Sequence, residues 1–158
     1  MTPTITTKIF TTELFDLLGE TFEQVQGMYL DKGTSLFETL AQISAAEASI
    51  PVGGKCATLA AQVEHVRFYL DVLEQIMTRH EIPKVDWDEI WQTVGAVSVD
   101  EWQAIQDRLQ ATYQRVRANM EALENWDSDY AVSAAMSIVV HTAYHLGEIR
   151  QALCVIKP

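Results

Sequence analysis

The chain has 158 residues, nearly half of them hydrophobic, and a formal net charge of −11. That length and apolar content suit one domain, residues 1–158, with a real core, and argue against disorder. The acidic balance argues against a nucleic-acid backbone or an anionic membrane as the main partner.

Glycine and proline are sparse and fall mostly between periodic segments, which predicts an all-α fold. Residues 1–4 lack a basic region followed by an apolar core, so no signal peptide is expected. The most membrane-like run, 131–140, is short and is broken by Ser133 and Ser137. It reads as a buried helix and not as a span. Cys56 and Cys154 form no C-x-x-C pair, which suggests a reduced, cytoplasmic protein.

The first helix is predicted to start at a cap on Thr11 or Thr12 and to run to about Tyr29. Its stripe is Leu14, Leu17, Leu18, Phe22, Val25 and Tyr29. Gly27 and the Asp31-Lys32-Gly33 cluster end or bend it. Ser35 and Glu38 form a capping box for a short extra helix near 35–48, with Leu36, Phe37, Leu40 and Ile43 facing inward. Pro51, Gly53 and Gly54 then break the chain.

A second long helix is predicted from about 55 to 79. Leu59, Val63, Val66, Leu70, Leu73 and Met77 form its packing seam. His65 lies on the adjacent stripe with Thr58, Gln62, Tyr69, Val72 and Ile76, a stripe suited to lining a space between helices. His80 stands where the helix should stop, and a structural role at the helix end is preferred for it. The connector 81–97 is long for a bundle. Its Trp87 and Trp91 either plug the end of the core or wall a ligand pocket, and Asp86 and Glu89 offer caps for one short turn.

Ser98 and Glu101 cap a third long helix reaching about Glu124, with Trp102, Ile105, Leu109, Tyr113, Val116, Met120 and Leu123 inward. Asp107, Arg108 and Arg115 read as its solvated face. The last helix runs from about Tyr130 to Ile156. It is apolar on nearly every side in its first half, so it is predicted to be the most buried.

Chemistry concentrates in that last helix. His141 and His145 are four apart and share one face, where two imidazoles can grip one metal ion. Ordinary hydrogen bonds would satisfy the same rings. Of the other two histidines, His65 is placed to supply a third ligand from a neighbouring helix, as bundle interiors do. Three histidines with an open position describe a catalytic site, and imidazole suits Zn, Ni, Fe and Cu alike. Glu148 shares the face of the pair and is read either as orienting a ligand or acting as a base, or as a solvated carboxylate. Tyr69 and Tyr144 are candidates to meet a substrate or to sit in the core. Arg67 and Arg150 would hold an anion or stay on the surface. Neither cysteine is expected to ligate. Each lies nine positions from a ligand, roughly 13 Å at about 1.5 Å per residue. Both cysteines come to one end if their helices are antiparallel.

These pieces resemble the DinB/YfiT superfamily of metalloenzymes over nearly the whole chain. The likeness rests on SLFETL at 35–40, AAQVEHVRFYL at 60–70, the Trp87/Trp91 connector, Glu101-Trp102 and above all HTAYHLGEIRQ at 141–151. His65, His141 and His145 fill the three ligand places of the family signature. The resemblance implies a four-helix bundle in up-down-down-up order, with a long crossover between the second and third long helices, and a homodimer. It also implies a divalent metal that activates a low-molecular-weight thiol for transfer chemistry on a small-molecule substrate. Metal-assisted hydrolysis stands next. The contrasting expectation is a non-catalytic, dimeric, stress-related binding protein that holds a metal incidentally.

Overall fold

The computed structural model describes residues 4–51, 57–86 and 88–157. Gly53, Gly54, Cys56 and Trp87 therefore lie outside the described residues. Among those described the fold is all-helical. Four long helices surround one core: α1 (Thr7–Phe22), α4 (Leu59–Arg79), α6 (Val99–Glu121) and α7 (Asp129–Ile156). Three short ones, α2 (Leu36–Leu40), α3 (Ala45–Ala48) and α5 (Glu89–Thr93), fill the connections.

Helix α1 departs from its predicted bounds at both ends. Its cap is Thr6, whose hydroxyl accepts from the Ile9 N–H at 3.3 Å. Thr11 instead donates back to the Thr7 carbonyl. The helix stops at Phe22 because the next stretch folds back over a buried carboxylate. Glu20 accepts four backbone N–H bonds, from Gln26 (3.1 Å), Met28 (2.8 Å), Tyr29 (2.8 Å) and Leu30 (2.7 Å). Gly27, at φ +90°, supplies the left-handed turn this needs. Val25 and Tyr29 thus leave the predicted stripe, and Tyr29 is exposed.

The predicted single helix at 35–48 is two. Ser35 and Glu38 cap the first with the expected box, and Ser44 and Glu47 repeat it for the second. Helix α4 starts at Leu59, where the Thr58 hydroxyl accepts from the Ala61 N–H. All six residues of its predicted seam are buried. His80 ends it in the left-handed conformation at φ 57°. At α5 Asp88 occupies the cap position without a side-chain bond and Asp86 accepts from the Asp88 N–H, while the side chain of Glu89 lies outside what is described. The Ser98–Glu101 box caps α6, and its predicted stripe is buried through Met120, with Leu123 partly so.

Side-chain contacts set the helix directions. Gln62 meets Glu148 and His80 meets Ser128, so α4 and α7 run antiparallel. Arg108 reaches Glu64, and Arg115 reaches Asp71 and Glu74, so α4 and α6 run parallel, as their long connector allows. The predicted solvated face of α6 therefore carries ties to α4. Both guanidinium groups stay about half exposed, at 54% and 50%, so each tie is worth little by itself. Glu23 bonds Tyr113 and Arg117, while Phe10 packs on Trp126, so α1 runs antiparallel to α6.

One expectation about α7 fails. Helices α4 and α1 cover it, yet Met136, Val140 and Tyr144, spaced by four, stand on an open side and are exposed, as is Val155. Apolar composition all round did not mean burial all round. No helix among the described residues is long and apolar enough to cross a membrane.

Candidate metal centre

His65 leaves the middle of α4 on the stripe beside the packing seam. His141 and His145 leave successive turns of α7 on one face. The packing of α7 against α4 brings the three rings together. His65 Nε2 lies 3.3 Å from His141 Nε2, and His145 Nε2 lies 3.2 Å from it. Ligand nitrogens from all three residues lie within 4.8 Å of one another. His65 and His145 are buried and His141 is half-buried.

The chemistry of this arrangement is unusual for a hydrogen-bonded core. A neutral imidazole nitrogen has one in-plane position, holding either a proton or a lone pair. The His141 Nε2 therefore satisfies at most one of its two Nε2 neighbours. Three lone pairs directed at one cation satisfy all three at once. Two nitrogens at about 2.0–2.1 Å from a tetrahedral zinc stand roughly 3.3 Å apart, which matches the two spacings to His141 Nε2. The residues present fit a divalent transition metal.

Electrostatics keep the lone pairs free. Burial pulls His65 down to about 4, with the neighbouring His145 adding to it and Glu148 opposing. Burial, then His145 and His65, pull His141 down to about 3. Burial also lowers His145, against the pull of Glu148. All three rings are neutral at pH 7, the form a metal requires.

Around the rings stand the other predicted site residues. Glu148 Oε2 bonds His145 Nδ1 at 2.9 Å and also accepts from the Gln62 amide at 3.2 Å. It thus holds the side of the His145 ring opposite the converging nitrogens. Tyr69 stacks on His141 with centroids 3.5 Å apart, and Trp91 stacks on His65 at 4.4 Å. Trp91 thus covers one face of the His65 ring, and Trp87 lies outside the described residues. Tyr144 packs edge-on against His145, and a hydrogen bond to Glu148 pushes its phenol pKa up. It is exposed and borders, with Glu148, a groove of about 480 Å³ that continues past Ala152 and Val155.

Other candidates fall outside. Arg67 is engaged by Glu64 and Asp71 on α4 itself. Arg150 points to Thr39. Cys154 is free and exposed and does not belong to the cluster. His80 takes the helix-end position expected of it. The residue without a predicted role is Gln62, which ties the two halves of the site. Its signal was its place one turn before His65 on the same stripe. Among the described residues two buried side-chain polar atoms lack hydrogen-bond partners: Gln62 Oε1 and His65 Nδ1.

Comparison with known proteins gave no match, whether to a family model, a curated protein or a solved structure.

Proposed function

We propose that this chain is a metal-dependent enzyme of the DinB/YfiT kind, built as a four-helix bundle in up-down-down-up order. The reading places a divalent transition metal on His65, His141 and His145. Its leading reaction class is thiol-dependent transfer on a small molecule, with hydrolysis next. The observation that carries it is the convergence of three neutral imidazole nitrogens on one point, where no scheme of hydrogen bonds satisfies them. When bound, such an ion supplies the positive charge that lowers the pKa of a thiol or water at its open position.

The chain's own residues do the rest. Glu148 keeps the His145 Nδ1 proton in place and fixes the ring so that Nε2 faces the centre. This position suits orientation and not proton abstraction, since the carboxylate lies behind the ring. Trp91 and Tyr69 cover the faces of His65 and His141 and limit water. Zn, Ni and Fe fit the donor set equally.

One observation favours the second reading, a dimeric stress-related binding protein. The open apolar strip of Met136, Val140 and Tyr144 offers α7 as an interaction face. Turnover separates the two. Protein purified without nickel resin is expected to carry close to one equivalent of a divalent transition metal and to catalyse transfer of a small thiol. The His141→Ala variant should lose both. Less than about a tenth of an equivalent, with no uptake on adding Zn or Ni, would overturn the metal site. Metal binding without any thiol-transfer or hydrolytic activity would favour the second reading.

A further inference from the structure

Two buried atoms at the site have no hydrogen-bond partner among the described residues, and they are chemically complementary. One is the Gln62 amide oxygen, an acceptor. The other is His65 Nδ1. Ligation through Nε2 forces the proton of a neutral imidazole onto Nδ1, which makes that atom a donor. Gln62 precedes His65 by three residues on α4, so both side chains stand on one face, a turn apart.

The orientation of the amide is fixed from the other side. Its Nε2 lies 3.2 Å from Glu148 Oε2. A carboxylate only accepts, so the N–H must face it and the oxygen must turn away. That same Oε2 holds His145 Nδ1 at 2.9 Å. Gln62 is therefore bonded at one end to the carboxylate that orients a ligand on α7. At its other end its oxygen is left without a partner, one helical turn from His65.

We infer that Gln62 is a positioning residue that links the two helices' ligands: its N–H group secures Glu148 and, through it, His145, while its oxygen receives the His65 Nδ1 proton, directly or through one water. The inference rests on the metal reading above. It explains why two unsatisfied buried atoms of opposite character lie beside the centre. The two atoms are not bonded to each other in this structure, so the link calls for a small shift of the Gln62 side chain or for one bridging water. Once Nε2 is a ligand, the proton has one place to be and Gln62 supplies the acceptor.

The test is Zn(II) affinity, measured by competition with a chromophoric chelator, for the wild type, Gln62→Leu, Glu148→Ala and the double variant. Loss of an orienting partner lowers metal affinity by about 10- to 100-fold, and Gln62→Leu is expected to fall in that range. It should still weaken binding clearly in the Glu148→Ala background, because the His65 bond survives there. A Gln62→Leu affinity within about twofold of wild type, the size of ordinary non-additivity, would overturn the inference. So would a Gln62 effect that vanishes once Glu148 is gone, since Gln62 would then act through Glu148 alone. Wild-type protein that takes up no Zn(II) would remove the premise, and is told apart by that measurement alone. Should the variants fail to fold, nitrogen NMR of the zinc-loaded wild type decides. A His65 Nδ1 proton protected from exchange supports the link, and one that exchanges freely or sits on Nε2 refutes it.

Discussion

Two buried polar clusters in this protein are built to opposite designs. Glu20 is fully buried, and its carboxylate accepts four backbone N–H bonds from one short loop. Of the three histidines two are buried and one half-buried, yet they crowd their nitrogens together and leave His65 Nδ1 without a partner. Burying polar groups is costly unless they are satisfied. At Glu20 the chain satisfies its own charge, so the cluster is closed and structural. At the histidines the chain's own groups leave nitrogens that one metal ion could satisfy together.

The contrast can be broken at either end. The largest stability effect is expected from Glu20→Ala. It strands the loop N–H groups and should cost on the order of 3 kcal/mol in chemical denaturation, while zinc affinity per folded molecule stays at the wild-type value. His141→Ala should do the reverse. Zinc uptake is lost, and the metal-free protein stays within about 1 kcal/mol of wild type. If both variants lose the same property, the two clusters are not different in kind.

Acid sharpens the contrast further. Burial raises the Glu20 pKa, but the four backbone bonds outweigh it and hold the group at about 2 against an ordinary 4.5. Its folded pKa is depressed, so its contribution is present above 4.5 and is lost as pH falls towards 2. The histidines shift the same way, but for a different reason and in a higher window: burial disfavours their charged form. Their folded pKa values lie below the ordinary 6.5, at about 4 for His65 and about 3 for His141. The unfolded chain therefore binds protons first, and metal-free stability should rise with pH from about 3 to 6.5. In the folded protein His65 and His141 take up protons only near pH 4 and below, and His145 only below its ordinary 6.5, so zinc affinity corrected for folding should fall by no more than the uptake of one proton between pH 6.5 and about 5. A fall set by three protons in that range would mean solvated rings. The smallest effect is expected from Trp91→Ala. With one wall of His65 removed, affinity should fall only a few-fold, and part of the tryptophan quenching on zinc addition should disappear.

The unequal legibility of the two clusters has a physical basis. The histidine pair repeats at helical spacing, and the seam from Leu59 to Met77 fixes which stripe of α4 carries His65. Periodicity alone thus brings three ligands into range. The capping boxes at Ser35 and Ser98 were equally plain, because each is a local bond between residues three apart. Glu20 carried no such signal. Its partners are backbone N–H groups six to ten residues on, and every residue type except proline offers one. The pattern therefore extended α1 to Tyr29 across a loop. The open strip on α7 was hidden for a related reason. Composition tells how apolar a helix is, but only the number of packed neighbours decides how much of it is covered. Gln62 stood on the right stripe, and its role depends on a carboxylate 86 positions away.

Whether His65, His141 and His145 hold one metal ion between them is decided by X-ray absorption at the zinc edge, on protein loaded with one equivalent. The expected spectrum shows three imidazole nitrogens at about 2.0–2.1 Å with a light atom completing the shell, and loss of one imidazole in the His65→Ala variant. A sulfur at about 2.3 Å, fewer than three imidazoles, or a His65→Ala spectrum identical to wild type would contradict that site.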